Sequence, residues 1–529
     1  MVDLTIPRNE KAPHVLHPPA NDRQVGHEVP SPLAPLARRP VLAVAGTVVV
    51  VLLLVSDRFG FFSDELYFIA AGRRPAWGYV DQPPLVPLLA QGIEYLTNGS
   101  LVALRLLPAL AAGGGVVVSA LAARELGGRR TAQVLAAVVY AVTPATLMTG
   151  HVLATGGLDI NLAACTAWLL IRWIRLRDDR VFLAIALVTA VELQVKFVSA
   201  SFWVVFVLCA LVFGPRDIVR RPKFWIGAGI VAAAAVPGLV WQAQHGWPQV
   251  DMTKVIAKEV EDAGAGGFGF IAAVLSICGI AGSIFLVHGM VKLIGRSARR
   301  DYRVLGWSVL GIALTYALTD GRAYYLAGYL VIPLAAAAVD FAGKTSRRSW
   351  KWIAVPVSLL SLALVPVMLP MYPDSALKRM PDGLSKDMVG WPEMADTVAD
   401  IYRSLPGGTR ENTAVVTDGY QQASALDRYG PARHLPPAYS GHRGYWYFGR
   451  PAGSVTSVIY VGADKPYLDG FFESVRRVGT VDNHLHVSNL NRGQAIWLCR
   501  GPRHPWPQLW PRFYHLTAVT LRGEDVPSK

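Results

Sequence analysis

The sequence predicts a polytopic α-helical membrane protein with a C-terminal α/β domain outside the bilayer, on three observations. Hydrophobic residues make up 52% of the 529 residues and charged residues only 17%, too apolar a balance for a soluble chain of this length. The apolar residues come in runs of roughly 15–22, the length that crosses hydrocarbon. Leu101–Ala122, Phe268–Val291 and Trp352–Pro370 are examples. After residue 370 the composition turns soluble, and segments that read as strands alternate with segments that read as helices.

Taken in order, residues 1–40 are rich in Pro, His and Arg without an apolar period, and read as a disordered cytoplasmic tail. The run Val41–Val55 follows Arg38 and Arg39 and has no convincing small-residue cleavage site, so it reads as a retained first span. About eleven spans are expected by length and hydropathy. They fall at residues 41–60, 101–122, 131–149, 153–172, 181–195, 197–213, 224–243, 268–291, 304–319, 323–341 and 352–370, giving a membrane domain over 41–370.

Charge placement sets the orientation. Lys and Arg crowd the tail and alternate loops: Arg124, Arg129 and Arg130; Arg216, Arg220, Arg221 and Lys223; Arg296, Arg299, Arg300 and Arg303; Arg347, Arg348 and Lys351. The opposite loops hold few, among them Arg58, Arg73, Arg74, Lys254 and Lys258. The positive-inside rule then puts the N-terminus in the cytoplasm and residues 371–529 outside a cytoplasmic membrane. The formal charge of +14 is spent on these short loops and makes no basic stripe, so nucleic acid is not a partner. Four cysteines show neither a disulfide framework nor a metal-ligand spacing.

The first long outward segment, 56–100, contains FFSDELYFIAAGRRPAWGYVDQPP from Phe61 to Pro84. Ser63 is placed to cap a helix starting at Asp64. Leu66, Ile69 and Ala70 would then form one apolar face of a helix lying on the membrane, with Trp77 and Tyr79 at headgroup level. Two readings of Asp64 and Glu65 stay open on spacing alone. They are first-turn acids that complement the helix dipole, or they are active-site carboxylates with Asp81 of the same loop beside them.

Charges inside the spans favour the second reading. Asp159 and Lys196 lie near the outer ends of apolar segments, where a charge at the centre would cost about 3 kcal/mol. The bland alternatives are a helix-start acid for Asp159, snorkelling for Lys196 and Arg105, and an interfacial polar residue for His151. Asp320–Gly321–Arg322 reads as an outer turn, with Tyr324 and Tyr325 suited to a phosphate or sugar. Together these residues gather carboxylates and cations at one face of the membrane. A carboxylate can take a proton from an attacking hydroxyl, and cations can hold a leaving phosphate. No glycine-rich nucleotide loop is present.

These residues resemble those of the bacterial GT-C superfamily membrane glycosyltransferases, in the branch of protein O-mannosyltransferases and lipid A aminoarabinose transferases (glycosyltransferase family 39-like). The most specific element is SDELYF…WGYVDQPPL at Ser63–Leu85. Weaker ones are HVLATGGLD at His151–Asp159, LQVKF at Leu193–Phe197, GRAYYLAGYLVIPL at Gly321–Leu334 and the segment Asp418–Gly449. The resemblance implies a polyprenyl-phosphate-sugar donor and inverting transfer to an exported protein, lipid or glycan on the outer face. It implies Asp64 as the general base with Glu65 supporting it, and Lys196, Arg322, Tyr325 and Arg105 on the donor phosphate. Tyr79, Asp81, His151 and Asp159 would line the acceptor cavity. The first loop has no DxD triplet, so a divalent metal is not implied, and no other cofactor is expected. The competing expectation is a lipid-linked saccharide transporter or flippase, which internal repeats would favour; none is visible. In 371–529, His442, Trp446 and Tyr447 suit either sugar stacking or a core, and His484 and His486 alternate as on a strand face. No catalytic residue is expected there.

Overall fold

The computed structural model describes residues 33–295, 300–344, 351–380, 383–517 and 520–525. Most of the expected tail, 1–32, and the basic-loop residues Arg296, Arg299, Arg347 and Arg348 lie outside the described residues. The chain from Leu33 onward forms one compact unit. The end of the tail already belongs to it: α1 (Arg38–Leu54) starts three residues before the expected span, and Gln133 and Arg124 hydrogen-bond the carbonyls of Pro35 and Ala34.

All the expected spans appear as helical segments. In order come α2 (Ser63–Gly72), α3 (Leu85–Leu96), α4 (Leu101–Glu125), α5 (Arg130–Ala141), α6 (Pro144–His151) and α7 (Thr155–Leu176). Then follow α8 (Val181–Val195), α9 (Ser199–Phe213), α10 (Pro222–Gln244), α11 (Pro248–Asp262), α12 (Phe268–Ile294), α13 (Arg303–Leu318), α14 (Val331–Lys344) and α15 (Lys351–Met368). Among the described residues five helices are long and apolar enough to cross a membrane. The pair α5 and α6, bent by 58°, would make a sixth. The others expected to span are shorter or lie partly outside the described side chains, so the protein is a multi-pass membrane protein without a fixed count of eleven. The bend has a local cause: Thr143 accepts from Thr146 N–H and Pro144 opens α6, so Pro interrupts the helical hydrogen-bond ladder there.

Small residues set the close helix contacts. Gly328, just before α14, leaves no room for a side chain, since a Cβ would lie 2.4 Å from Ala163 Cβ on α7. Close backbone approach of this kind, rather than hydrophobic exclusion, is what joins helices in lipid.

Beyond α15 the chain folds into α16 (Trp391–Ser404), β1 (Thr413–Thr417), α17 (Tyr420–Tyr429), β2 (Ala438–Ser440), β3 (Ser457–Val461), β4 (Phe472–Thr480) and β5 (Ala495–Pro502). The sheet order is β2-β1-β3-β5-β4. β1 is parallel to both β2 and β3, while β5 runs antiparallel to β3 and β4. His484 and His486 lie in no strand; both are exposed with φ near +50°, which removes the idea of a shared strand face.

The first loop departs most from expectation. α2 does not lie on a membrane surface: every residue from Glu65 to Gly72 is buried. Leu66, Phe68 and Ile69 share one core with Trp391, Val398, Leu426 and Tyr445, so the α/β region is continuous with the first loop. Nor does Ser63 cap the helix. Phe62 is the N-cap residue, and its N–H donates to the Glu65 carboxylate at 2.8 Å.

Candidate active site

Asp64 and Glu65 are neighbours in sequence and part in space. On a helix, consecutive side chains point about 100° apart. Glu65 turns into the core, 0% exposed, and meets Arg105 of α4, 1% exposed. Arg105 Nε and Nη2 donate to Glu65 at 3.0 and 2.9 Å, Nη1 to the Ser56 carbonyl at 2.7 Å and Nη2 to the Gly60 carbonyl. Glu65 also accepts from the N–H groups of Phe62 and Leu153. Both groups are therefore saturated. Arg105, expected on the donor phosphate, is here turned to Glu65, expected to support Asp64: the pair clamps the loops 56–60, 62–65 and 151–153 to α4. His151 is buried within electrostatic reach of Arg105, with neither ring nitrogen hydrogen-bonded. Tyr79 is also structural. Its hydroxyl lies 2.9 Å from the Ala71 carbonyl and 3.1 Å from that of Arg74, and Gln242 donates to its backbone carbonyl. Burial pushes its phenol up to about 12.

Asp64 faces the other way, half-buried, and receives the Tyr420 hydroxyl at 2.8 Å. Burial raises its pKa above the ordinary carboxylate range, against the lowering effects of Tyr420, Arg443 and Arg322. Asp81 stands close by, takes the Tyr67 hydroxyl at 3.0 Å and is pushed up to about 6, chiefly by burial and also by the Asp64 charge. The Tyr67 and Tyr420 rings pack 4.5 Å apart between the two acids. Burial raises both phenols well above 10, so each stays protonated and donates.

Arg443 and Arg322 supply the positive side. They are tied together by Glu259 of α11, whose two oxygens accept from Arg322 at 2.6 Å and Arg443 at 2.7 Å. Arg443 has φ +49°, a left-handed conformation that costs a non-glycine residue about 1 kcal/mol or more and is often found at functional sites. The next residue, Gly444, is required by contact: a Cβ there would sit 2.2 Å from the Tyr67 hydroxyl.

Lys196 ends α8 and turns to a third group. Its Nζ donates to the Tyr324 hydroxyl at 3.0 Å and lies 4.3 Å from the ring centres of both Tyr324 and Tyr325. Asp159 of α7 is buried within electrostatic reach of Lys196, with one carboxylate oxygen unpartnered. Arg322, two residues before Tyr324, interacts with both Asp64 and Tyr324 and so joins this group to the acids. The structure thus brings together Asp64, Asp81, Arg322, Lys196, Tyr325 and Asp159. It sets apart Glu65, Arg105, His151 and Tyr79. Tyr420, Arg443 and Glu259 were not expected. The first two lie in Asp418–Gly449; Arg443 stands in the cluster Gly-His-Arg-Gly-Tyr at 441–445, a signal that could have raised it, while Tyr420 and Glu259 offered none. No group of three His, Cys, Asp or Glu among the described residues is arranged to hold a metal ion.

Residues 81–241 match the family described as Dolichyl-phosphate-mannose-protein mannosyltransferase. No curated protein sequence matches the chain. Among solved structures, ArnT from Cupriavidus metallidurans bound to undecaprenyl phosphate is similar, with TM-score 0.53 and 15% identity over 86% of this chain and 97% of that one. Its apo state gives TM-score 0.53 and 14% identity over the same shares. The arabinofuranosyltransferase AftD from Mycobacteria scores 0.49 at 16% identity, over 88% of this chain and 40% of that one. The chain is therefore a membrane protein with the GT-C fold of the ArnT type, carrying over residues 81–241 the sequence pattern of the protein mannosyltransferase family.

Proposed function

We propose that the protein is a glycosyltransferase that moves one sugar from a polyprenyl-phosphate donor to an acceptor hydroxyl, at the outer face of the cytoplasmic membrane. The observation that carries this reading is the half-buried Asp64 carboxylate beside two arginines and, through Arg322, a lysine at the end of a membrane helix. Asp64 takes the proton of the acceptor hydroxyl. The freed oxygen pair attacks C1 of the sugar, the C1–O bond to phosphate breaks, and its electrons leave with the lipid phosphate. Attack opposite the leaving group inverts C1. Arg322 and Lys196 take up the charge that develops on the phosphate, and Tyr325 backs Lys196. Asp81 and Asp159 border the acceptor and donor sides. An apolar groove of about 270 Å³ along α8, from Phe182 to Leu193, ends three residues short of Lys196 and suits a polyprenyl tail.

The ArnT structure bound to undecaprenyl phosphate supports a lipid-linked donor, and the matched mannosyltransferase family supports sugar transfer. The basic loops at the opposite ends of the helices support an outward-facing site, with the α/β layer from residue 371 outside. Purified protein incubated with labelled polyprenyl-phosphate mannose and arabinose tests the reading. Label joined to an acceptor is expected; label that only crosses a vesicle bilayer would mean transport instead.

Two variants read the site directly. Lys196→Met removes one charge-assisted contact, worth about 1.5–3 kcal/mol, so donor KM should rise roughly 10- to 100-fold with the fold intact. An unchanged KM would place the phosphate elsewhere. Tyr420→Phe deletes a hydrogen bond that favours the ionised form of Asp64. The base then protonates at higher pH, and the acid limb of kcat/KM should move up by about one pH unit. A pH profile is the measurement, and no movement would detach Tyr420 from the base.

A further inference from the structure

The α/β region has its own cavity. The strand order 2-1-3, with all three strands parallel, places a topological switch point between β1 and β3, and in open α/β sheets ligands bind outside the carboxyl ends of the strands at such a point. A cavity of about 250 Å³ opens there. Asp418 and Gln422 follow β1, His442 follows β2, and Gln494 stands just before β5, beside the end of β3; Gln421, Asn489, Leu490, His515, Thr517 and Thr520 also line it. The volume is several times the roughly 30 Å³ share of one water molecule, room for a sugar ring rather than an ion.

The chemistry of the wall selects the ligand. No Lys or Arg is among its described residues, so it does not suit a phosphate or carboxylate. Its one carboxylate, Asp418, is already spent: it accepts from the N–H groups of Ala463 and Leu521 and from the Tyr460 hydroxyl, so it is not a cation ligand. Burial lowers the pKa of both histidines, which favours their neutral form. They stack with ring centres 4.9 Å apart and planes 1° apart. Gln422 is 6% exposed with its side-chain oxygen unpartnered. The histidine nitrogens are held by the backbone: His442 Nδ1 accepts from the Tyr420 N–H, and His442 Nε2 and His515 Nδ1 meet the Leu516 and Phe513 carbonyls. The ligand-facing groups are the amides of Gln421, Gln422 and Gln494, which both donate to and accept from hydroxyl groups, as a polyol needs.

We infer that the crevice at the carboxyl ends of β1 and β3 is a binding site for a neutral saccharide, separate from the Asp64 centre. It adjoins that centre through one residue. Tyr420 donates its N–H to His442 Nδ1 on the crevice side and its hydroxyl to Asp64 on the other. The inference does not rest on the transfer reading, since binding is measured without donor.

The test is calorimetry on the purified full-length chain in detergent with mannotriose and arabinotriose as neutral probes and a trimer of galacturonic acid as the anionic one. A neutral trisaccharide is expected to bind with a dissociation constant of about 1 mM or tighter, more tightly than the acid. Gln421→Ala and Gln494→Ala, both at partly exposed positions that leave the core untouched, should each weaken it several-fold with an unchanged unfolding midpoint. Absence of neutral-sugar binding up to about 20 mM, tighter binding of the acidic trimer, or binding that neither variant alters would overturn the assignment.

Discussion

Asp64→Asn is expected to lower sugar transfer by about 10²- to 10⁴-fold, the usual contribution of a positioned general base. Asparagine keeps the shape and can still accept the Tyr420 hydroxyl, so the unfolding midpoint in detergent should stay put while single-turnover transfer collapses. The direction of the acid's shift gives a companion result in the unmodified protein. Burial holds Asp64 above the ordinary carboxylate range and its neighbour Asp81 at about 6. A base with a raised pKa is ionised above that pKa and lost as pH falls through it. Transfer should therefore fail at a higher pH than an exposed aspartate would impose. Full activity in the asparagine variant would remove Asp64 from the chemistry.

Arg105→Ala should have the largest effect on stability. It leaves Glu65 charged, fully buried and without its counter-ion. Breaking a buried pair on one side typically costs about 3–5 kcal/mol, whereas replacing both partners by apolar residues of similar volume is often near neutral. The single variant should express poorly and unfold at far lower temperature, and the double variant Glu65→Leu/Arg105→Met should recover much of the loss. Thermal unfolding in detergent measures both. If the single variant unfolded normally yet showed a raised donor KM, Arg105 would belong on the phosphate after all.

These two residues show what the sequence could and could not convey. Apolar runs locate helices because hydrocarbon length is a local constraint, and they did so throughout. β1 and α17 are also readable in the sequence: TAVVT is a short β-branched run, buried throughout in the sheet, and Tyr420–Tyr429 follows it with a helical period. β4 was not. Its Arg476 and Arg477 are exposed on a strand whose buried positions are too sparse to alternate clearly. The acid pair was the hardest case. Adjacency on a helix sends two side chains in different directions, and which one meets a counter-ion depends on Arg105, forty residues away. The same holds for Glu259, whose ordinary helical surroundings give no hint of the two arginines it joins. The amphipathic membrane-surface helix expected at α2 failed for a related reason. Leu66 and Ile69 do form an apolar face, but the residues between them are apolar as well, and Trp391 and Leu426 arrive to cover them.

The contact between Asp64 and Tyr420 joins positions 356 residues apart. A ribosome making this chain inserts the first loop long before it reaches β1, so the nascent membrane helices hold Asp64 without its tyrosine and without Arg443. The proposed site is completed only when the α/β layer has been synthesised, folded and packed against α2. Maturation of the proposed site is thus timed by translation, and in a half-made chain Asp64 stands without Tyr420 and Arg443.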